Sequence, residues 1–274
     1  MPKIQIASLD VGRFYTDVEK MADTLTIMAF IKDARWDAIC LHGLPEFVVN
    51  DAGFQKRWPV AEFCPMTRHF MLGGIRCYVG NGVFSHDLPF VSTSTVAYIG
   101  AVSPVRDLDS EAITISRIGN ANAKDVSLLE KCESRIAVFA TIEVGGVPLT
   151  IGADDSPWRP VGTRGLDDNL RNGMIRLARG IGKQEERIVM GGGFKTVDSE
   201  AFQLLFSETK RLGRELHASL PENVGTTVDW ASRGKPSHNI VADYFLRAGL
   251  VSVSDVRVHR VGGKNFGISA TVEW

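Results

Sequence analysis

The chain has 274 residues, 44% of them apolar and 23% charged, which is the composition of a globular protein with a filled core and excludes a disordered or fibrous one. A formal net charge of −1 supplies no basic footprint for a phosphate backbone, so composition disfavours a nucleic-acid partner. No apolar run is long enough to cross a bilayer as a helix, and a membrane partner is not expected. The first residues, Met1 to Ile6, pass directly into strand-like alternation, and no signal peptide is expected. Cys40, Cys64, Cys77 and Cys132 are widely spaced and form no CxxC pair. That pattern points to reduced thiols packed as small core residues in a cytoplasmic protein.

In chain order, residues 4–9 predict a first strand, and residues 17–32 a helix with Met21, Leu25, Met28 and Ile31 on one stripe. Short β-branched runs then predict strands at 38–41, 82–84, 96–99, 136–143 and 149–151. A second amphipathic helix covers 166–181 through Leu170, Met174, Leu177 and Ile181. A strand at 188–190 runs into a glycine-rich turn, Gly191-Gly192-Gly193, and a third helix covers 199–212. Strands at 256–261 and 268–274 close the chain. No repeat, low-complexity block or linker interrupts it, so a single domain over residues 1–274 is expected. Many strands with few helices predict an α/β sandwich of two sheets packed face to face and flanked by helices.

Several stretches carry a family pattern with altered chemistry. Gly191-Gly192-Gly193-Phe194-Lys195-Thr196 resembles the Gly-Gly-Asp-Phe-Asn-Thr segment of the endonuclease/exonuclease/phosphatase superfamily, the metal-dependent phosphoesterases related to DNase I. Ala7 to Arg13 is similar to that family's opening strand, with Asp10 in the place of an Asn. Trp36 to Gly43 resembles its second strand, where His42-Gly43 stands for Gln-Glu. Val79-Gly80-Asn81-Gly82-Val83-Phe84-Ser85 is similar to Tyr-Gly-Asn-Ala-Ile-Leu-Ser. Gly152-Ala153-Asp154-Asp155 takes the place of Asn-Thr-His-Leu, and Asp243-Tyr244-Phe245 that of an Ile-Asp-Tyr strand. Asn265-Phe266-Gly267 replaces the closing Ser-Asp-His.

The resemblance implies a DNase I-like fold, and it also implies what the chain has lost. Phosphoester hydrolysis by this route needs a hard cation held by oxygen ligands and a group that moves a proton. A glycine at position 43 cannot replace the family's metal-holding Glu, and one at 267 cannot replace its acid/base His. Gly193 and Lys195 stand where an Asp and an Asn position the nucleophile. The expectation is a catalytically degenerate member, a pseudoenzyme or a repurposed enzyme, with no cofactor and no metal site. Glu46 is the one nearby carboxylate able to serve as a displaced ligand, with Asp10 as a second oxygen donor.

The polar residues that remain are the candidate catalytic set: Asp10, His42, Asp154, Lys195 and Asp243, all expected at one end of the sandwich. Two readings of them stand open. Lys195 either neutralises an acidic cluster and only holds the fold, or anchors an anion in a reused cleft where His42 or Asp154 carries a proton. Asn81, Trp158, Arg159 and Arg164 are candidate ligand contacts, the last three on a loop able to stack on or clamp an anionic or aromatic molecule. A small-molecule ligand, a protein partner for a non-catalytic module, and a residual phosphoesterase are the three functional readings.

Overall fold

A computed structural model describes residues 1–11, 28–72, 75–99, 135–154, 168–193, 200–219, 243–261 and 264–274. The opening strand β1 (Lys3–Asp10) shows why the architecture is layered. Ile4 and Ile6 point into one apolar cluster, while Ala7 and Leu9 belong to another on the opposite face. A strand buried on both sides must lie inside a covered sheet. β2 (Ala38–Pro45) repeats this, with Ala38 and Cys40 on the inner face and Ile39 and Leu41 on the outer.

The remaining strands are β3 (Val60–Leu72), β4 (Ile75–Ser85), β5 (Phe90–Ile99), β6 (Arg135–Val144), β7 (Val147–Asp154), β8 (Ile188–Gly193), β9 (His217–Ser219), β10 (Asp243–Ala248), β11 (Ser252–Val261) and β12 (Lys264–Glu273). They form two six-stranded sheets, ordered β11-β12-β1-β2-β4-β3 and β5-β6-β7-β8-β10-β9. The inner cluster, with Ile4, Ile6, Ala38, Cys40, Ile151, Ala153, Val189 and Phe245, packs the sheets against each other. The architecture is the two-sheet α/β sandwich that the strand pattern predicts.

Helices cover both outer faces. The helical residues 28–33 (α1) bring Ile31 onto the first sheet, and α2 (Glu46–Val49) and α3 (Ala52–Arg57) add Val48 and Phe54. The Asp51 carboxylate accepts from Phe54 N at 2.8 Å and caps α3 at its N-terminus. On the second sheet, α4 (Asp168–Gly182) contributes Met174, Leu177, Ala178 and Ile181, and α5 (Glu200–Arg211) contributes Phe202 and Leu205. These two helices match the expected amphipathic segments. The one expected over 17–32 is seen over 28–33, and its earlier residues lie outside the described ones.

Two glycine features differ in kind. Gly145 and Gly146, at φ 61° and 75°, make the two-residue hairpin between β6 and β7, where left-handed backbone is required. Gly191, Gly192 and Gly193 are not the turn that their sequence suggests. They are strand residues of β8, paired with Phe245, Tyr244 and Asp243 of β10. The reason is close approach: a Cβ on Gly191 would stand 2.5 Å from Ser8 Cβ across the sandwich and 3.1 Å from the Phe245 ring. No helix among the described residues is long and apolar enough to cross a membrane.

Candidate functional site

The parallel pairs β1–β2 and β7–β8 run the same way through the two sheets, so their C-terminal ends emerge together. Asp10 lies opposite His42 in the first sheet, and Asp154 lies opposite Gly192 in the second. Asp243 opens β10 beside Gly193. The topology thus brings Asp10, His42, Asp154 and Asp243 to one end of the sandwich. Lys195, Trp158, Arg159 and Arg164 lie outside the described residues.

Strand alternation divides this end into two environments. His42 shares the inner face with Ala38 and Cys40, and its Nε2 meets the Ser8 hydroxyl at 2.8 Å. Asp10, two residues after Ser8, falls on that same face and is the more open of the three, at 7% exposure against 2% for Ser8 and 1% for His42. Ala153 packs in the inner cluster, which turns Asp154 to the other face of its sheet. There its Oδ1 accepts from Tyr98 O–H at 2.7 Å, within the cluster that holds α4 and α5. The four acids and bases at this end are therefore not one cluster, because a sheet stands between His42 and Asp154.

Asn81 is fully buried and joins the two sheets. Its Nδ2 donates to Ile136 O of β6 at 2.8 Å, and its Oδ1 accepts from Gly43 N at 3.3 Å. The amide is engaged by main chain on both sides, which is a brace across the sandwich. The backbone turns sharply at Gly43, with φ 65°, and the β2–β4 register shifts there between Leu41 and Leu44. An L-residue at that φ is strained. At Gly267 the obstacle is space: a Cβ would come 2.3 Å from Ser8 O and 2.8 Å from Leu9 Cα. Both positions are shaped for glycine.

The chemistry available follows from burial. A hydroxyl bonded to an imidazole is the geometry of an activated nucleophile. Here Gly191 presses on Ser8 and neither partner is reachable, so the pair acts as a polar bridge between β1 and β2. Cys40, next along the inner face of β2, donates its S–H to Gly152 O at 3.2 Å, and burial pushes its thiol up to about 12. A hard divalent cation needs several oxygen ligands converging on one point. Among the described residues no three His, Cys, Asp or Glu side chains converge in that way.

No family model matches the sequence, and no curated protein does. Solved structures match it over its whole length. A Leptotrichia buccalis endonuclease/exonuclease/phosphatase family protein superposes with a TM-score of 0.64 at 15% identity, covering 99% of this chain and 100% of that one. The Bacteroides vulgatus endonuclease/exonuclease/phosphatase gives 0.65 at 14%, covering 100% and 99%. The chain has the endonuclease/exonuclease/phosphatase fold. D. rerio TDP2, complexed with a single-strand DNA product, shares this fold at a TM-score of 0.55 and 13% identity, each chain covered in full. These identities speak for the fold alone.

Ser8 and Tyr98 are the site residues that sequence reasoning missed. Period-two alternation places Ser8 on the face of Asp10, so Ser8 was within reach. Tyr98 lies 56 residues from Asp154, and nothing local announces their contact. A second serine–histidine pair is present elsewhere: His259 Nε2 lies 2.7 Å from the Ser269 hydroxyl. That imidazole packs between Phe30 and Trp36 on the far face of the first sheet, away from the strand-end site.

Proposed function

We propose that this chain is a catalytically degenerate protein of the endonuclease/exonuclease/phosphatase fold, whose strand-end site binds or transforms a small ligand without a divalent metal. The observation that carries the reading is Gly43. At the place where the resemblance puts the metal-holding Glu, the backbone is left-handed and its N–H is engaged by Asn81. The loss of the carboxylate is thus built into the local conformation of the chain. Gly267, confined by the Ser8 carbonyl, supports the same reading at the position of the acid/base His. In this reading Asp10 is the first described polar group that a ligand meets, His42 sets the polarity behind it, and Lys195 is assigned the charge that anchors an anion.

A second reading, a residual metal-dependent phosphoesterase, has one observation in its favour. The fold is shared with a protein complexed with single-strand DNA, so the expectation drawn from net charge, that nucleic acid is disfavoured, gains nothing from the fold. Here Glu46, the first residue of α2 just past Gly43, would join Asp10 as a ligand.

Thermal unfolding of the wild-type protein with chelator, Mg²⁺, Mn²⁺, nucleotides and a metabolite panel separates the two, because selective binding to the native state raises Tm. The expected result is indifference to both metals and a saturable rise with an organic ligand that Asp10→Asn abolishes. A saturable rise with Mg²⁺ or Mn²⁺ that Glu46→Gln removes would overturn the first reading in favour of the second.

A further inference from the structure

The flank of the second sheet carries a feature that the strand-end site does not use. β5 is the outermost strand of its sheet among the described residues, and α4 lies close beside it. Gly180 sets the distance, since a Cβ there would stand 2.5 Å from Val96 Cγ2. Gln184 fastens the two elements: its Nε2 donates to Gly180 O at 2.9 Å and its Oε1 accepts from Ser94 Oγ at 3.1 Å. Between them lies a cavity of about 290 Å³, with Arg176, Arg179 and Lys183 on one wall and Thr93, Ser94 and Thr95 on the other.

The charge in this groove is one-sided. Three exposed cations spaced three and four residues apart share a helix face, where they repel one another. No carboxylate lines the cavity, and none of the three cations forms an ion pair with a described residue. Hydroxyls and guanidinium groups are donors suited to acceptor-only anions, and the arginine fork matches a phosphoryl group through two hydrogen bonds. The volume sits at the lower edge of small-molecule sites and is far too small for a duplex. Three positive charges in so small a space match a ligand that concentrates negative charge, as phosphoryl groups do.

We propose that the groove between β5 and α4 binds a compact anion carrying two or more phosphoryl charges. This site is separate from the strand-end site, and its assignment does not rest on the reading of that site.

Calorimetric titration with tripolyphosphate, ADP and citrate tests it on the full chain. Saturable binding of tripolyphosphate, weakened about tenfold or more in Arg176→Gln/Arg179→Gln and unchanged in Arg171→Gln, is the expected result. Arg171 is an exposed cation of the same helix outside the cavity. ADP binding more tightly than tripolyphosphate would identify a nucleotide as the source of the phosphoryl groups, and the reverse an inorganic polyphosphate. Absence of saturable binding, binding that the double variant retains, equal loss in Arg171→Gln, or equal affinity for citrate would each overturn the proposal. Melting curves show whether the double variant folds, and relief of like-charge repulsion predicts that it does.

Discussion

The strand-end site and the β5–α4 groove are built on opposite terms. At the strand ends the polar groups are buried and answer one another: Ser8 with His42, Asn81 with two backbones, Asp154 with Tyr98. In the groove the cations are exposed, and none forms an ion pair with a described residue. Glycine permits close approach in both places, yet the atoms it approaches differ. Gly267 faces the Ser8 carbonyl, which belongs to a paired strand, whereas Gly180 faces the side chain of Val96. The first region is closed by its backbone, and the second is held open by a side chain and a helix face. At the strand ends only a small opening at Asp10, 7% exposed, is offered to the ligand proposed above, whereas the groove presents whole charged side chains to solvent.

The largest effect that would break this contrast is at Gly267. Gly267→Ala drives a Cβ into backbone that cannot withdraw without unpairing β1 and β12, and a loss of about 3 kcal/mol or more is expected. Gly180→Ala meets only Val96 and is expected to cost about 1 kcal/mol, partly offset by the better helix propensity of alanine. Urea denaturation of the two variants compares them directly. Equal destabilisation would mean that the strand-end region is no more rigid than the groove.

A smaller effect sharpens the division of the strand-end site into two faces. Tyr98→Phe removes the donor to the buried carboxyl of Asp154 and leaves the inner face untouched. A loss of about 2 kcal/mol is expected, with the Ser8–His42 bridge intact. The check is Tm together with the NMR shifts of the His42 ring. A His42 shift as large as that of the residues around Asp154 would mean that the two faces form one network after all.

What could be read in the sequence follows from how each element is buried. β1, β2, β6 and β7 announce themselves because strands covered on both faces are rich in apolar residues. The first half of β5, Ser92-Thr93-Ser94-Thr95, lies at a sheet edge with polar side chains that are exposed or half-buried, so it has no apolar alternation to detect. β3 contains Pro65 and a register shift between Pro65 and His69, which breaks the period of two. Gly191 to Gly193 look like a turn because glycine signals freedom locally, whereas here they pair in a strand and, at Gly191, Ser8 of the opposite sheet and Phe245 occupy the space of a side chain. The same locality limits the site. Asp10 and His42 stand at strand ends and were legible there, but the outward turn of Asp154 depends on which face Ala153 buries. That is a property of the whole sandwich.

The mildest test measures how dry the closed region is, through Cys40. Its thiol lies in the inner cluster one inward-facing position before His42, and burial raises it from an ordinary 9.0 to about 12. A native thiol that holds its proton more tightly than the unfolded one contributes stability in full below pH 9. That contribution is lost as pH rises toward 12, because only the unfolded chain releases the proton over this range. The expected slope from this group is about 1.4 kcal/mol per pH unit above 9, and Cys40→Ala should flatten it at some cost in packing. Cys64, raised to about 11 by burial, adds a similar slope of the same sign that ends about one pH unit earlier, so the comparison is between Cys40→Ala and Cys64→Ala. Alkylation of the native protein at pH 8, read by peptide mass mapping, should spare Cys40 until the protein is unfolded. Ready labelling of Cys40 in the native state would mean that water reaches the space behind His42, and the closed region would then have to be counted with the open groove.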